Sequence, residues 1–398
     1  ATGLATSILG QGGFDTLNGP AGGSAYTVTA AGGAVAGVAF TGFESIRTGD
    51  GDDDIALSID VVGTVRVAGG AGTDTLHLFG TAASGSYVAV TGDGGLLRYD
   101  GSAIAFSGIE SIVDHTSTAN RTVTATPGAD SILVTTDGHG RIVVDGPSFA
   151  GITIVDPGAA LGISGGVGRD QILVTGDIDA PGVDFALRAE TIVVSGADID
   201  TRSTGDSGSV ALIAVGDEES RGGTIDDISA EIVSTSASIA LQNSQIATGD
   251  AVLTARSTAG AGGEATGVAA LSLDATATIG LDHTAILATG DIHVTTVTTI
   301  SGAVVAHADP AAGAEKDAAI ALIVATNRSE IVLAESGLAA AGAIAITARH
   351  AGSFSVHASG DGGEVGATAA IADVDGSTSI ALRDNTLLVA GGRLDVVA

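Results

Sequence analysis

The segment Ala343-Ile344-Ala345-Ile346-Thr347 sets its two isoleucines two residues apart. A helix would spread that alternation around its circumference, whereas a strand gathers both side chains on one face. Alanine is the best helix former, yet the period is two, so the segment reads as a strand. The phrase recurs. Ala251/Leu253, Ile292/Val294, Ile344/Ile346 and Leu394/Val396 follow Gly249, Gly290, Gly342 and Gly392 by two and four residues. Each glycine lies 10 to 12 residues after Ile239-Ala240-Leu241, Ile279-Gly280-Leu281, Ile331-Val332-Leu333 or Ile380-Ala381-Leu382. Upstream, Gly-Gly-Glu264, Gly-Ala-Glu315 and Gly-Gly-Glu364 stand 51 and 49 residues apart. Each is followed seven positions later by an apolar residue: Leu271, Leu322 and Ile371. A repeat of about 50 residues therefore carries several strands and one acidic, glycine-rich loop, the mark of a solenoid or array.

The N-terminal half repeats differently. Phe40-Thr41-Gly42-Phe43-Glu44-Ser45-Ile46 is echoed by Phe106-Ser107-Gly108-Ile109-Glu110-Ser111-Ile112, and more weakly by Phe149-Ala150-Gly151-Ile152-Thr153-Ile154. Ahead of these lie a strand and a glycine turn: Tyr26–Thr29 with Gly32-Gly33, Tyr87–Val90 with Gly94-Gly95, and Ile132–Thr135 with Gly138. The repeat type changes near residues 175–190 without a Pro/Ser linker. Two segments, 1–185 and 186–398, are expected to form one continuous stack.

Composition fits an all-β parallel β-solenoid, or β-helix, with Gly-Asp turns. Hydrophobic residues make up 44% of the chain while aromatics are only 3%, so the apolar content is mostly small side chains. Narrow cores of Val, Ile and Ala suit coils stacked about 4.8 Å apart, and 61 glycines are available for corners with positive φ. At ~20–25 residues per coil the chain would make roughly 16–20 coils, a rod on the order of 80–95 Å. No cysteine is present, which excludes disulfides and thiolate metal sites. A net charge of −31 excludes neutralisation of nucleic-acid phosphates by a basic surface. No apolar window approaches the ~20 residues of a membrane helix, so membrane insertion is not expected. The absence of methionine suggests an internal or mature segment of a longer product.

The sharpest motif is a Gly-Asp turn that leads into a strand. Gly69-Gly70-Ala71-Gly72-Thr73-Asp74-Thr75-Leu76 and Gly165-Gly166-Val167-Gly168-Arg169-Asp170-Gln171-Ile172 fit the pattern G-G-x-G-x-D-x-U in full. Gly10–Leu17, with Asp15, and Thr48–Ile55, with Asp50 and Asp53, each miss one glycine; Gly128–Ile132, with Asp130, keeps the second half. Glycine turns expose backbone carbonyls and aspartate adds a hard anionic oxygen, the donors Ca²⁺ prefers. Asp53 and Asp74 lie 21 apart, close to one coil. The plain alternative is that these turns are only the corners of a solenoid. The acidity likewise suits either bound divalent cations or adaptation to saline.

These turns resemble RTX calcium-binding repeats. The Gly-Ile-Glu-Ser-Ile phrase and Ala-Thr-Gly-Asp-Ile-His-Val-Thr (288–295) look like large secreted bacterial adhesins of the filamentous-haemagglutinin type, built of β-strand repeats. The resemblance implies Ca²⁺ at Asp15, Asp50, Asp53, Asp74, Asp130 and Asp170. It departs from the family in that its turns are isolated rather than tandem. It also implies a secreted, extracellular or cell-surface location.

None of the eight histidines shows a metal-ligand spacing. Asp114-His115 and Asp282-His283 have no identifiable nucleophile beside them, so an enzyme is not expected. The reading is a structural or adhesive segment, a calcium-stabilised rod or filament subunit. Its partners would be itself end to end or further repeats of the same polypeptide, with cell-surface or matrix glycans as a further candidate. The alternative is a β-helix enzyme or binding module acting on extracellular polysaccharide. The last strand, Leu394-Asp395-Val396-Val397-Ala398, looks like an ordinary repeat rather than a cap, so something is expected to cover its edge.

Overall fold

The computed structural model describes residues 7–61, 63–225, 228–308, 317–360 and 366–398. No helix occurs among them, and most strands pair in parallel with a strand one coil away. The fold is a parallel β-solenoid. It comprises two compact units: Ala1–Ala211 with Gln242–Ala251 and Ala285–Gly290, and Leu212–Leu241 with Val252–Thr284 and Asp291–Ala398.

In the first unit, like residues stack above like. Tyr26, Ile55, Leu76, Ile112 and Ile152 form one inward ladder, each in register with the next and each buried. Leu17, Ile46, Val67 and Phe106 form another. A third face begins at Ile178, inside the span where the repeat type changes. There Ile178, Ile199, Ile246 and Ile286 make a ladder of four isoleucines, none more than 1% exposed. Each rung contributes about 1.5–3 kcal/mol relative to an exposed side chain. β-Branched side chains suit such ladders because they are already stiff at χ1.

Coil length departs from the sequence expectation. Partners lie 20 residues apart between Gln171–Val174 and Thr191–Ser195, but 40 apart between Ser131–Thr136 and Gln171–Val174. The longer coils contain a switchback. Thr81–Thr91, Gly94–Tyr99 and Ser102–Ser107 run antiparallel to one another. Their outer members then pair in parallel with Ser117–Thr124 and Gly63–Ala71. Ala25–Thr29 with Gly32–Val35 and Val38–Thr41 repeats the device, as does Ser131–Thr136 with Ile142–Gly146 and Phe149–Ile154. These three switchbacks are the strand, glycine turn and Phe-x-Gly phrase read as the N-terminal repeat. Each switchback thereby folds two antiparallel pairings into the parallel stack of the first unit.

The second unit uses longer strands. Val268–Asp282 pairs along its whole length with part of Asp317–Ala334, which in turn pairs with Gly366–Arg383. Ile279, Ile331 and Ile380 align, as do Ile292, Ile344 and Leu394, matching the spacing read from sequence. Of the upstream markers, Leu322 and Ile371 align, but Leu271 does not. Leu271 stacks on Ile323, not on Leu322; a slip of one residue exchanges the two faces, so Leu271 faces the core while Leu322 and its partner Ile371 face outward. Glu264 lies within the strand Ala251–Thr266 rather than in a loop, and Glu315 and Glu364 lie outside the described residues. The core here is thin, with Ala259, Ala269, Ala275, Ala306, Ala319, Ala321 and Ala325 among its members.

Corners in both units put non-glycine residues in the left-handed region: Asn243, His283 and Glu335 have φ of 48, 48 and 45°. The hydroxyl that follows each, on Ser244, Thr284 or Ser336, donates to the carbonyl two residues before it. That bond holds a conformation which otherwise favours glycine.

One buried polar cluster anchors the first unit. Asp114 is fully buried and accepts from Arg121 Nε at 2.9 Å, Tyr99 Oη at 2.9 Å and Thr116 N at 2.8 Å. Burial and the Asp114 charge hold the Tyr99 phenol well above its ordinary pKa. Removing one member of a buried ion pair leaves an uncompensated charge. Arg121→Met is therefore expected to destabilise the protein by about 3–5 kcal/mol in denaturant unfolding, while Tyr99→Phe costs about 1–3 kcal/mol.

Candidate functional site

Corner N–H groups cannot join the ladder hydrogen bonds of the flat faces, and a buried donor must be satisfied elsewhere. In the first unit, carboxylates satisfy them across coils. The Ser24 N–H donates to Asp53 Oδ1 at 2.7 Å, the Asp53 N–H to Asp74 Oδ1 at 2.8 Å, and the Asp74 N–H to Glu110 Oε2 at 2.7 Å. A second column runs from the Asp130 N–H to Asp170 Oδ1 at 2.9 Å, and from the Asp170 N–H to Glu190 Oε2. The third has a single step, from the Asp15 N–H to Glu44 Oε2 at 2.9 Å. Main-chain bonds return in the other direction. Thr75 N donates to Asp53 O, Ser111 N to Asp74 O, and Thr191 N to Asp170 O.

The motif glycines make room for this arrangement. A Cβ on Gly69 would collide with the Asp74 carboxylate and with Gly108 O, and one on Gly165 with the Asp170 carboxylate. The aspartate of each full motif thus folds back over the first glycine of its own turn. Gly70 and Gly72 have φ of 103 and 145°, conformations that need glycine.

The structure sorts the six sequence candidates. Asp53 and Asp74 share one column, and Asp130 and Asp170 share another. Asp15 pairs only with Glu44, and Asp50 is exposed at the end of Ser45–Asp50, outside the columns. Asp130 takes hydrogen bonds from the hydroxyls of Thr126 and Ser148. By contrast, Asp15, Asp53 and Asp74 each bury an Oδ2 with no hydrogen-bond partner. Sequence reasoning missed Glu44, Glu110 and Glu190, which close the columns. The signal was present in the Gly-x-Glu-Ser-Ile echo, whose glutamate sits at the same place twice.

A fit to Ca²⁺ can be judged from these donors. The partnerless oxygens are buried, anionic and hard, the type that Ca²⁺ selects. Asp53 and Asp74 would hold such an ion, with carbonyls and water completing its six to eight ligands. Among the described residues no cluster of three or more His, Asp or Glu side chains is arranged to hold a metal, so side chains alone supply few of them.

The column carries an electrostatic cost. Burial raises the Asp74 carboxyl above its ordinary pKa; the N–H of Asp53 opposes the rise, and the charges of Asp53, Glu110 and Asp52 add to it. Tyr26, buried beside the column and donating to Thr48 O at 2.7 Å, is pushed up to about 12 by burial, Asp53 and Asp74.

The histidine pairs separate. Asp114 points inward, whereas His115 lies outside, its Nε2 3.3 Å from His77 Nδ1. Alternation along a strand sends neighbours to opposite faces. His283 sits at its corner between Asp282 at 2.8 Å and Glu335 at 2.9 Å. Within the strand Ile292–Ala308, Thr296 and Thr298 are fully buried.

No family model, no curated protein and no solved structure matches the chain.

Asp74→Ala strands the Asp53 N–H and is expected to lower stability by about 1–3 kcal/mol; Asp74→Asn, which keeps an acceptor, should lose less. A carboxyl whose folded pKa is raised favours folding below its unfolded pKa, and that contribution is lost as pH rises through the folded value. The gap between wild type and Asp74→Asn should therefore shift in favour of Asn on moving from pH 3.5 to 7, measured by urea unfolding. His283 is also raised, by its hydrogen bond to Asp282 and then the Glu335 charge. Its contribution is full below its unfolded pKa and fades as pH rises through the folded one. His283→Gln should therefore lower the melting temperature at pH 5.5 more than at pH 8.5.

Proposed function

We propose that the chain is a structural segment of a secreted bacterial surface or extracellular-matrix protein, a stiff solenoid stabilised by Ca²⁺ and extended by stacking coil on coil. What supports this reading is the last described coil of the second unit. Leu382, Leu394 and Val396 occupy the rungs of Leu333, Ile344 and Ile346. Those three partners are fully buried, while Leu382, Leu394 and Val396 are 46, 47 and 45% exposed. The coil presents an interior pattern on an open face, with strand edges that pair readily. Its natural occupant is another coil of the same design.

The acidic columns fit the calcium part of the proposal, because a bound divalent ion would offset the repulsion between stacked carboxylates. The resemblance to RTX repeats and haemagglutinin-type adhesins, together with the absence of cysteine, supports the extracellular setting.

Light scattering on the 398-residue chain is expected to show concentration-dependent association that the double variant Leu382→Lys/Val396→Lys abolishes. A wild-type protein that stays monomeric at high concentration overturns the stacking reading. Thermal melts should rise in millimolar Ca²⁺ relative to EGTA, by about 2.7 kcal/mol at a hundredfold excess over Kd. The rise should be absent in Asp74→Asn and not reproduced by Mg²⁺. Equal melts in both media overturn the calcium reading and leave the columns as backbone caps.

A further inference from the structure

Against its net charge of −31, the first unit carries a small basic shelf on an outward face. Arg66 and Arg47 project from the neighbouring strands Gly63–Ala71 and Ser45–Asp50, both exposed. Ser45 is the register partner of Arg66, and Ala68 that of Arg47. The two arginines are therefore diagonal neighbours, within reach of a common ligand. The guanidinium of Arg66 lies over the Phe14 ring, 5.0 Å from its centroid, and Phe14 itself is 57% exposed. Both arginines border a groove of about 260 Å³ together with Phe14, Thr16, Ser45 and Phe106.

Neither arginine is neutralised. Arg121, Arg141, Arg202, Arg328 and Arg393 each have a carboxylate partner. Among the described residues Arg47 and Arg66 have none, a state they share with Arg98, Arg188, Arg221, Arg256, Arg349 and Arg383; what sets them apart is that they are diagonal neighbours beside an exposed aromatic ring. Glu44 and Asp50 stand equally near Arg47 in sequence; Glu44 is turned away to the Asp15 N–H, and Asp50 is exposed at the far end of the same strand. A guanidinium resting on an aromatic ring uses its face and leaves its N–H edge free for a planar carboxylate. Around it the lining offers the exposed Thr16 hydroxyl and the aromatic carbon of Phe14, while Ser45 and Phe106 lie buried beneath. That mixture matches a sugar ring, which presents hydroxyls and C–H faces together. It offers no deep slot for a peptide side chain.

We infer that this shelf binds a carboxylate-bearing saccharide. The carboxylate is taken by Arg66 and Arg47, and the ring is laid along Phe14 and the Thr16 hydroxyl. The site is local and works against the repulsive field of the whole protein, so binding weakens as salt is lowered for long polyanions and holds for short ones.

The test is titration calorimetry of the full chain, in EGTA, with a tetramer of galacturonic acid. The neutral galactose tetramer, a sulfated tetramer and tetraglutamate serve as comparisons. Binding of the uronate alone is the expected result, with Arg66→Ala and Arg47→Ala each weakening it about tenfold or more. Phe14→Ala should weaken it as well, and all three variants should keep the wild-type circular dichroism spectrum. Lys substitution at Arg66 separates fork recognition from charge, since it retains charge but loses the bidentate donors. No heat with the uronate, equal affinity for tetraglutamate or the sulfated tetramer, or binding untouched by the arginine variants overturns the assignment. The calorimetry is repeated on Leu382→Lys/Val396→Lys, so that its outcome does not depend on coil stacking.

Discussion

In a parallel stack the flat faces satisfy their own hydrogen bonds, and the corners are the difficulty. At each corner the backbone turns away from its neighbour, and a buried N–H left there would be costly. The first unit answers with a carboxylate that reaches exactly one coil along, from Asp74 to the Asp53 N–H and from Glu110 to the Asp74 N–H. Charge-assisted bonds of this kind are stronger than neutral ones, but they gather like charge in one line. The rise in the Asp74 pKa is the visible result of that conflict. The glycine spacing, the inward turn of the aspartates and the placing of Tyr26 all follow from keeping these bonds.

The second unit has another solution. Its strands are so long that corners are few per residue, and its interior is narrow enough to be filled by alanine. Hydroxyls share its corners with carboxylates: Thr284 and Ser336 use hydroxyls, while the Ala343 N–H donates to Asp291 Oδ1. Sheet pairing along whole strands then carries stability that a larger core would otherwise supply.

The period-two runs and the interval of the Ile279, Ile331 and Ile380 phrases were enough to read a parallel β-solenoid from sequence. Ladder positions could be named because each rung repeats the same kind of side chain. Leu271 shows the limit of that reading, since a marker seven residues away fixes register only to within a residue and its true partner is Ile323. The switchbacks were hidden for a related reason. Strand, turn and strand look alike whether the chain climbs to the next coil or doubles back. The aspartates of the turns were legible, but their acceptors were not. Glu110 lies 36 residues from Asp74, a distance set by an inserted switchback rather than by any local spacing.

Register has a consequence for how such a molecule can change over generations. Because side chains alternate in and out, a gain or loss of one residue within a strand turns the remainder of that strand inside out. Duplication or deletion of a whole coil leaves every ladder intact, and loop insertions between strands are tolerated. Heritable variation in the length of this architecture is therefore quantised. Recombination between similar repeats, which adds or removes them entire, is the kind of genetic event that its physics permits.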